Sequence, residues 1–437
     1  MVSIYPVTSG KLSIRENGFN SVIGYDSKSK KWMNLNKSLE DLLVLCDGQH
    51  SIENINFYIS QLYSISPTES EEKLLVTLES LKKDDVIKFE TSNCYFPIRI
   101  RRYNFEWPLQ SVFVELTKKC NLECEHCYNN SSPYYPEGLN TKTLFSFLDQ
   151  VDELGAFHIY FTGGEPFIRK DFREILLYTY DKGVDTGIFT NGTLLNQADL
   201  SLLEKINPYF VAISLDAIDE DKYRQIRGIS NKKVIENIIR LKERGINVRI
   251  NSVIFKDLND DYEDIIKLLK FLKNNNFKEK DIALDEFLEI GRGQQFPNYS
   301  INQRKGVQNI IKAFQEVFGY DYLNRPSYTN NKPSRSSFCG LGENIFYLNS
   351  SGDITLCTVL NDKRFITGNI FKQTVKEVWE GSQLFRYFRE KRHISFSECE
   401  NCSYLLDCAG GCKAKPMLLL GNFNKPDYWM CSIFNKD

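Results

Sequence analysis

The cysteines of this 437-residue chain are the residues most able to do chemistry, because most of its 12 cysteines are grouped. Cys120, Cys124 and Cys127 follow one another in the spacing C-x3-C-x2-C. Three thiolates on one tight loop can bind three irons of a cubane cluster, which normally takes four cysteines, so one iron stays open for another ligand. A partial zinc site is the alternative, but zinc takes four ligands and His126 is poorly spaced to complete them.

A second set of cysteines lies in the C-terminal part of the chain. This part has little periodicity and cannot bury a large core, so we expect an inorganic group to stabilise it. Cys46 and Cys94 stand alone, and no cysteine lies between Cys127 and Cys339. The members of the second set are Cys339, Cys357, Cys399, Cys402, Cys408, Cys412 and Cys431.

Composition narrows the classes of function. The chain has 55 basic and 57 acidic residues, without the basic excess typical of proteins that bind nucleic acid. No apolar run approaches the ~20 residues that span a bilayer. The first residues, MVSIYPVTSG, lack the features of a signal peptide. We therefore expect a cytoplasmic protein without nucleic-acid or membrane partners, whose cysteines are metal ligands or catalytic groups rather than disulfides.

The first cysteine motif lies in a middle region, residues 111–318, in which strand and helix patterns alternate. This order is typical of a parallel α/β sheet, either open or curled into a partial (β/α)6 barrel. In such folds the chemistry lies at the carboxyl ends of the strands. The polar motifs found there are TKKCNLECEHC, TGGEP, TNGT, SLDA and GRG. The strand candidates are residues 111–116, 157–161, 184–190, 209–215, 247–255 and 282–290.

Two other regions flank the middle one. Residues 1–88 have short strand patterns followed by three helical patterns and suggest a small winged-helix-like module, with Ser38 as a candidate cap of its first helix. Residues 89–110 have little periodicity and are predicted to be a linker. Residues 319–437 form the cysteine-rich C-terminal domain.

The first cysteine motif resembles the signature of the radical S-adenosylmethionine (SAM) superfamily, C-x3-C-x-aromatic-C, with His126 in the aromatic position. A GGEP motif of the same family follows a predicted strand. The resemblance implies that Cys120, Cys124 and Cys127 hold a [4Fe–4S] cluster and that the GGEP segment binds the amino group of SAM. The GGEP residues are Gly163, Gly164, Glu165 and Pro166.

Further family-like segments are implied to bind other parts of SAM. Asn191, Ser214 and Asp216 would lie near the ribose, and Arg227 would bind a carboxylate. Each of these residues also fits an ordinary turn or cap. In the family, one electron from the reduced cluster cleaves SAM to a 5′-deoxyadenosyl radical, which abstracts hydrogen from a substrate. The cofactor supplies the hard chemistry, and the protein positions and shields the radical.

The C-terminal cysteines resemble the seven-cysteine pattern of the SPASM auxiliary-cluster domain. The resemblance implies two auxiliary clusters, hence three [4Fe–4S] clusters in all. One auxiliary cluster is fully ligated by Cys399, Cys402, Cys408 and Cys431. The other has three ligands, Cys339, Cys357 and Cys412. Its fourth iron is open to a substrate thiolate unless Cys46, Cys94, water or a side-chain oxygen fills the position. A zinc-ribbon tail is the alternative.

Residues 1–88 resemble the peptide-recognition element of enzymes that modify ribosomally made peptides, above all in the stretch LNKSLEDLLVLCDGQHSIENI. There a leader peptide adds a strand to the small sheet of the module, which is β-augmentation. A winged-helix DNA-binding module is the alternative, but no strongly basic recognition helix is visible.

The order of the three regions resembles that of peptide maturases, most of all subtilosin-type thioether (sactipeptide/ranthipeptide) synthases. It implies a radical SAM oxidoreductase that forms Cys thioether cross-links in a precursor peptide and takes electrons from an external donor. The alternatives are carbon–carbon cross-linking, oxidative decarboxylation, sulfatase-maturase-like dehydrogenation, or a non-catalytic cluster-bearing partner. Asp285, Glu286 and Glu289 are candidate bases that salt bridges explain equally well. We assign no role to the GRG segment, residues 291–293.

Overall fold

The structure is a computed structural model that describes residues 3–8, 12–17, 21–26, 30–96, 99–101, 107, 109–297, 303–319, 339–390, 398–399, 401–404, 408 and 410–434. The chain divides into two compact units. The N-terminal unit comprises Met1–Gln110, Asp152–Phe157 and Thr179–Asp185, and the larger unit comprises Ser111–Val151, His158–Tyr178 and Thr186–Asp437.

The strands of the N-terminal unit are β1 (Tyr5–Thr8), β2 (Leu12–Asn17), β3 (Ser21–Asp26), β4 (Lys31–Leu35), β5 (Ile87–Glu90) and β6 (Arg99–Arg101). β2, β3 and β4 form an antiparallel meander, and β6 pairs in parallel with β2. The strand order is therefore β4-β3-β2-β6, which leaves β4 at one edge, while β1 and β5 form a separate antiparallel pair.

Residues 89–110, predicted as a linker, contribute strand residues to both of these sheets. The end of β5 pairs with β1, and β6 pairs with β2. Residues 97–98, 102–106 and 108 of this stretch lie outside the described residues. The described part therefore belongs to the N-terminal unit, because its backbone groups are paired in the sheets of that unit.

Three helices pack with these sheets, α1 (Lys37–Leu45), α2 (Ile52–Tyr63) and α3 (Pro67–Lys83). The predicted cap of α1 is wrong. Asn36 caps this helix by accepting the backbone N–H of Leu39, and Ser38, already inside the helix, donates its hydroxyl to the same side-chain oxygen. An asparagine two residues earlier satisfies the free N–H groups of the first turn equally well.

The larger unit is built on a sheet of nine strands among the described residues. Its strands are β7 (Ser111–Glu115), β8 (His158–Thr162), β9 (Asp185–Thr190), β10 (Phe210–Ser214), β11 (Val248–Ile254), β12 (Ile282–Glu286), β13 (Ile345–Leu348), β14 (Asp353–Thr355) and β15 (Ile366–Asn369). β7 to β12 are parallel and lie in sequence order, as the alternating pattern predicts. The mostly parallel α/β fold is therefore confirmed.

Helices follow most of these strands. The helices are α4 (Thr141–Glu153), α5 (Phe172–Asp181), α6 (Gln197–Ile206), α7 (Glu220–Arg227), α8 (Lys232–Glu243), α9 (Tyr262–Asn274), α10 (Gln303–Phe318), α11 (Val375–Gly381), α12 (Gln383–Glu390), α13 (Ala414–Leu420) and α14 (Tyr428–Ile433). Short 3-10 helices span Pro166–Ile168, Glu279–Asp281, Gly291–Gln295 and Lys363–Phe365. No helix in the described ranges is long and apolar enough to cross a membrane.

The C-terminal region extends the central sheet. β13 pairs in parallel with β7, and β14 and β15 continue the sheet in antiparallel fashion. Phe346 and Tyr347 on β13 are buried, so this region takes part in the apolar core of the larger unit. The sequence pattern does not predict this pairing, because more than two hundred residues separate the two strands.

Candidate functional site

The loop that follows β7 carries the first cysteine motif. Its path is fixed by backbone hydrogen bonds, among them Cys120 N–H to Ser132 O at 3.0 Å and Cys127 N–H to Cys124 O at 3.2 Å. All three cysteines line one cavity of about 250 Å³. Residues in the carboxyl-terminal parts of β8, β9, β10 and β11, or shortly after β8 and β9, line the same cavity. The cavity therefore lies at the carboxyl ends of the parallel strands, where α/β folds place their sites.

Backbone and side-chain N–H groups point at these sulfur atoms. Leu122 N–H donates to Cys120 Sγ at 3.4 Å, and Ser131 N–H donates to Cys127 Sγ at 3.3 Å. The Asn191 amide lies 3.8 Å from Cys120 Sγ. Burial raises the pKa of Cys120 to about 12. Hydrogen bonds to the sulfurs are typical of iron–sulfur sites, and iron displaces the thiol proton, so these three residues fit a cluster.

A single metal ion fits the described residues less well. No group of three or more His, Cys, Asp or Glu side chains in the described ranges is gathered closely enough to hold one ion. The thiolates of a cubane bind different irons and therefore stand further apart than the ligands of one zinc.

The GGEP turn is packed against the backbone that leads into the cysteine loop. A Cβ on Gly163, whose φ is 144°, would lie 2.4 Å from Thr117 O, and one on Gly164 would lie 2.3 Å from Lys119 O. Gly164 N–H donates to Thr117 O at 2.6 Å. Both glycines line the cavity. The turn therefore needs glycine at both positions, and it brings polar backbone to the cavity wall.

The carboxylate of Glu165 is fully buried and bound by the protein itself. It accepts hydrogen bonds from Asn191 N–H at 2.8 Å, Thr190 Oγ1 at 2.8 Å and Phe167 N–H at 3.1 Å. Burial raises the pKa of Glu165 to about 7, against the effect of these donors. Pro166 begins the short 3-10 helix that follows. Glu165 thus joins the ends of β8 and β9 beside the cavity.

Asn191, Ser214 and Arg227 all line the cavity, as the resemblance implies, whereas Asp216 binds Arg227. Arg227 Nε donates to Asp216 Oδ2 at 2.5 Å, and Val253 N–H donates to Asp216 Oδ1 at 2.8 Å. Burial opposes the charged guanidinium, yet the Asp216 carboxylate raises the pKa of Arg227. This pair is an ion pair buried beneath the cavity.

His126 occupies a buried position between the second and third cysteines. Its ring centroid lies 5.0 Å from that of Phe255 in an edge-on arrangement. Burial lowers the pKa of His126 to about 4, so the ring is neutral at physiological pH. Its Nδ1 has no hydrogen-bond partner among the described residues. A neutral imidazole packed on phenylalanine fills this place as an aromatic ring would.

Two charged residues also line the cavity beside the residues predicted to bind the cluster and SAM, namely Asp285 and Arg292. Asp285 is accessible within the cavity, and its burial among protein atoms raises its pKa, an effect that Lys415 opposes. Glu286 instead forms a buried ion pair with Lys415 at 3.0 Å, and Glu289 is exposed. Of the three candidate bases, Asp285 faces the site. In the sequence, the position of these polar residues near the end of the last parallel strand is the signal that could identify them as site residues.

The C-terminal cysteines fall into two spatial groups. Cys412 and Cys339 are close enough to Cys357 to raise the pKa of its thiol, and Cys339 raises the pKa of Cys412, each after the larger effect of burial. Cys408 is affected in the same way by Cys431 and Cys399. Cys402 adjoins this second group through its N–H, which donates to Cys399 O at 2.9 Å. These are the groups that the resemblance assigns to the two auxiliary clusters.

Backbone N–H groups again surround the sulfurs. Their bonds to the thiols favour the thiolate, as in the first loop. The donors are Leu341 and Lys413 for Cys339, Val359 and Leu360 for Cys357, Ala414 and Lys415 for Cys412, and Gly410 for Cys408.

The two solitary cysteines belong to the N-terminal unit. Cys46 is fully buried in its apolar core, where burial raises the pKa of the thiol far above its usual range. Cys94 is held beside Gly48, its N–H donating to Gly48 O at 3.0 Å. Cys46 is thus a small apolar core residue.

Comparison with known proteins agrees with this geometry. Residues 114–269 match the radical SAM superfamily, and residues 339–403 match the iron–sulfur cluster-binding domain called SPASM. The chain therefore contains a radical SAM domain and a SPASM domain.

The chain is also similar to individual proteins of known name. The chain is 27% identical over 400 residues to the antilisterial bacteriocin subtilosin biosynthesis protein AlbA of Bacillus subtilis, covering 88% of this chain and 85% of AlbA. It is 25% identical to the AdoMet-dependent heme synthase of Methanosarcina barkeri, covering 71% of this chain and 92% of that protein. The crystal structure of Streptococcus suis SuiB bound to precursor peptide SuiA has the same fold, with a TM-score of 0.66, 18% identity, and coverage of 97% and 99%.

Proposed function

We propose that this chain is a radical SAM enzyme that modifies a ribosomally synthesised precursor peptide by forming Cys thioether cross-links. The observation that carries the thioether reaction is the group of three cysteines Cys339, Cys357 and Cys412. A [4Fe–4S] cluster there has three protein thiolates and one position left for the thiolate of a substrate cysteine. Cys46 does not fill that position, because its thiol is packed in the core of the N-terminal unit.

The residues of the cavity bind and orient the cofactors. Cys120, Cys124 and Cys127 hold the first cluster, and the glycines of the GGEP turn bring backbone close to SAM. Asn191 and Ser214 offer polar groups from the ends of two successive strands, and Arg227 offers one from the last residue of α7. When bound, SAM and the reduced cluster supply a carbon-centred radical that abstracts hydrogen from the peptide. The protein walls exclude water from that radical.

The N-terminal unit is proposed to be a winged-helix-like peptide-recognition module, a role consistent with its edge strand. β4 ends the four-stranded sheet and is largely exposed, so a leader peptide can pair with it by β-augmentation. Immediately after β4, at Asn36, begins a groove of about 900 Å³ between the three helices. Leu39, Ile59 and Val76 line it, so an apolar side chain flanking the paired strand of the leader can enter.

We further propose three [4Fe–4S] clusters, with Cys399, Cys402, Cys408 and Cys431 as the ligands of the fully ligated one. An external protein supplies electrons, and the enzyme acts in the cytoplasm, where its thiols stay reduced. Each cross-link would remove two hydrogens from the peptide, one abstracted from carbon and one lost from the thiol as a proton and an electron. One electron from the cluster held by Cys120, Cys124 and Cys127 would cleave SAM to methionine and the abstracting radical, and the auxiliary clusters would accept the electron released when the carbon–sulfur bond forms.

Anaerobic turnover tests the proposal. The reconstituted protein is mixed with SAM, a reductant and the small peptide encoded nearest its gene, and the product is analysed by mass spectrometry after thiol alkylation. We expect a loss of about two hydrogens per cross-link, with cysteines that neither alkylate nor respond to disulfide reduction. Loss of two hydrogens with free cysteines would replace thioether formation by carbon–carbon cross-linking or dehydrogenation. Absence of SAM cleavage would point to a non-catalytic protein.

A further inference from the structure

The GRG segment after β12 is joined to the cysteine loop by its backbone. A Cβ on Gly291, whose φ is 58°, would lie 2.4 Å from both Cys127 O and Tyr128 O. Arg292 N–H donates to Cys127 O at 3.1 Å. The first glycine is thus required by close approach, and it delivers the arginine to the loop that holds the thiols.

The side chain of Arg292 makes a second attachment to the same loop. Its Nε donates to Cys124 O at 3.0 Å, and the residue lines the cavity. Its Nη2 is buried and has no hydrogen-bond partner within the described residues. A buried guanidinium N–H without an acceptor is costly, so this atom is placed for an acceptor that the protein itself does not supply.

Arg292 and the neighbouring Arg227 differ in whether a carboxylate balances their positive charge. Arg227 is neutralised by Asp216. In the described part of the chain, no ion pair joins Arg292 to a carboxylate. Because Arg292 Nε donates to Cys124 O at 3.0 Å, the positive charge of Arg292 lies beside a proposed cluster ligand. Arg292 therefore contributes an uncompensated cation to the cavity.

We propose that Arg292 is a positioning residue that fixes the cysteine loop and raises the reduction potential of the cluster held by Cys120, Cys124 and Cys127, with Nη2 donating to a sulfur of that site. The physical reason is that reduction adds a negative charge beside the guanidinium, and both a nearby cation and N–H···S bonds favour the reduced state. The inference rests on the proposed function only for the presence of that cluster.

The test is a redox titration of the reconstituted full-length protein, without peptide, followed by electron paramagnetic resonance. The signal of this cluster is identified as the one that changes when SAM is added. We expect R292Q to shift the midpoint to more negative potential and R292K, which keeps the charge, to stay near the wild type. R364Q is the matched control, because Arg364 is exposed and paired with Asp362. It should leave the midpoint unchanged.

Several results would overturn the proposal. One is an unshifted midpoint in R292Q with full iron content. Another is a loss of SAM affinity without a change in midpoint, which would assign the acceptor of Nη2 to SAM. If R292Q does not retain the cluster, R292K decides the matter, because a midpoint well below that of the wild type in a variant that keeps the charge would contradict the electrostatic effect. Failure of peptide modification leaves these measurements intact, so the two proposals fail separately.

Discussion

The backbone N–H of Asn191 donates to Oε2 of Glu165 at 2.8 Å, and this bond joins the ends of two neighbouring parallel strands beside the cysteine loop. The side chain of Asn191 then reaches the sulfur of Cys120 and the amide oxygen of Asn121. One buried carboxylate thus orders the residues that bear on the first cysteine. The GGEP motif has a structural role in the protein beyond any contact with a cofactor.

Replacing Glu165 by alanine should destabilise the protein. The substitution leaves the buried Asn191 N–H and Thr190 hydroxyl without their acceptor, at a cost of about 1–3 kcal/mol for each. Urea unfolding of the cluster-free protein measures the loss without interference from SAM. E125Q, a change at an exposed glutamate of the cysteine loop, should leave stability nearly unchanged. Equal stability of E165A and E125Q would contradict the prediction.

The stability of the cluster-free protein should also depend on pH through Glu165. Burial raises the pKa of this carboxyl to about 7 in the folded protein, above the value of about 4.3 in an unfolded chain. Between these values the folded state binds a proton that the unfolded state has released. The free energy of unfolding therefore falls as pH rises from about 4.3 to about 7. E165Q should lack this component, and identical pH profiles for E165Q and wild type would exclude it.

Breaking the ion pair of Asp216 and Arg227 should have a large effect. D216N leaves a buried guanidinium without its carboxylate, which typically costs about 3–5 kcal/mol. E220Q is the matched control, because Glu220 pairs with Arg224 at the surface, where such pairs contribute about 0–1 kcal/mol. Chemical denaturation of both variants provides the comparison. A loss in D216N no larger than in E220Q would show that the buried pair is not needed for stability.

The iron content of cysteine variants should show which C-terminal cysteines share a cluster. C357A and C412A should each remove about four irons, and the double variant should remove no more, because both residues are proposed to bind one cluster. C412A combined with C408A should remove about eight. C94S should retain the full content. Additive losses in the C357A and C412A pair would place these cysteines in different sites.

Leader-peptide binding should depend on the groove beside β4. V76D introduces a charge where an apolar side chain is expected to dock, and burial of a valine-sized group is worth about 1.5–3 kcal/mol, so affinity should fall at least about tenfold. Leu62 is similarly exposed but does not line the groove, and L62D serves as the control. Fluorescence anisotropy with the labelled leader measures both. Equal leader affinities of V76D and L62D would show that the peptide does not bind in this groove.

The sequence predicts those features of the molecule that depend on local patterns of residues. The six parallel strands are continuous apolar runs, so their positions follow within one or two residues except at the end of β12, where the prediction continues to residue 290. The cysteine groups follow from the resemblance to the radical SAM and SPASM families. The pairing of Asp216 with Arg227, the contacts of Arg292 with the cysteine loop, and the joining of β13 to β7 depend on residues far apart in sequence. No local pattern specifies such contacts.

The pairing of β13 with β7 has a consequence for synthesis on the ribosome. β7 emerges first, but the strand that covers its outer edge, Ile345–Leu348, emerges more than two hundred residues later. Until then the nascent sheet exposes unpaired backbone groups on the strand that leads into the cysteine loop, and open edges of this kind invite intermolecular pairing. Premature termination before residue 345 should therefore yield an aggregating fragment, because β7 then lacks the strand that covers its edge.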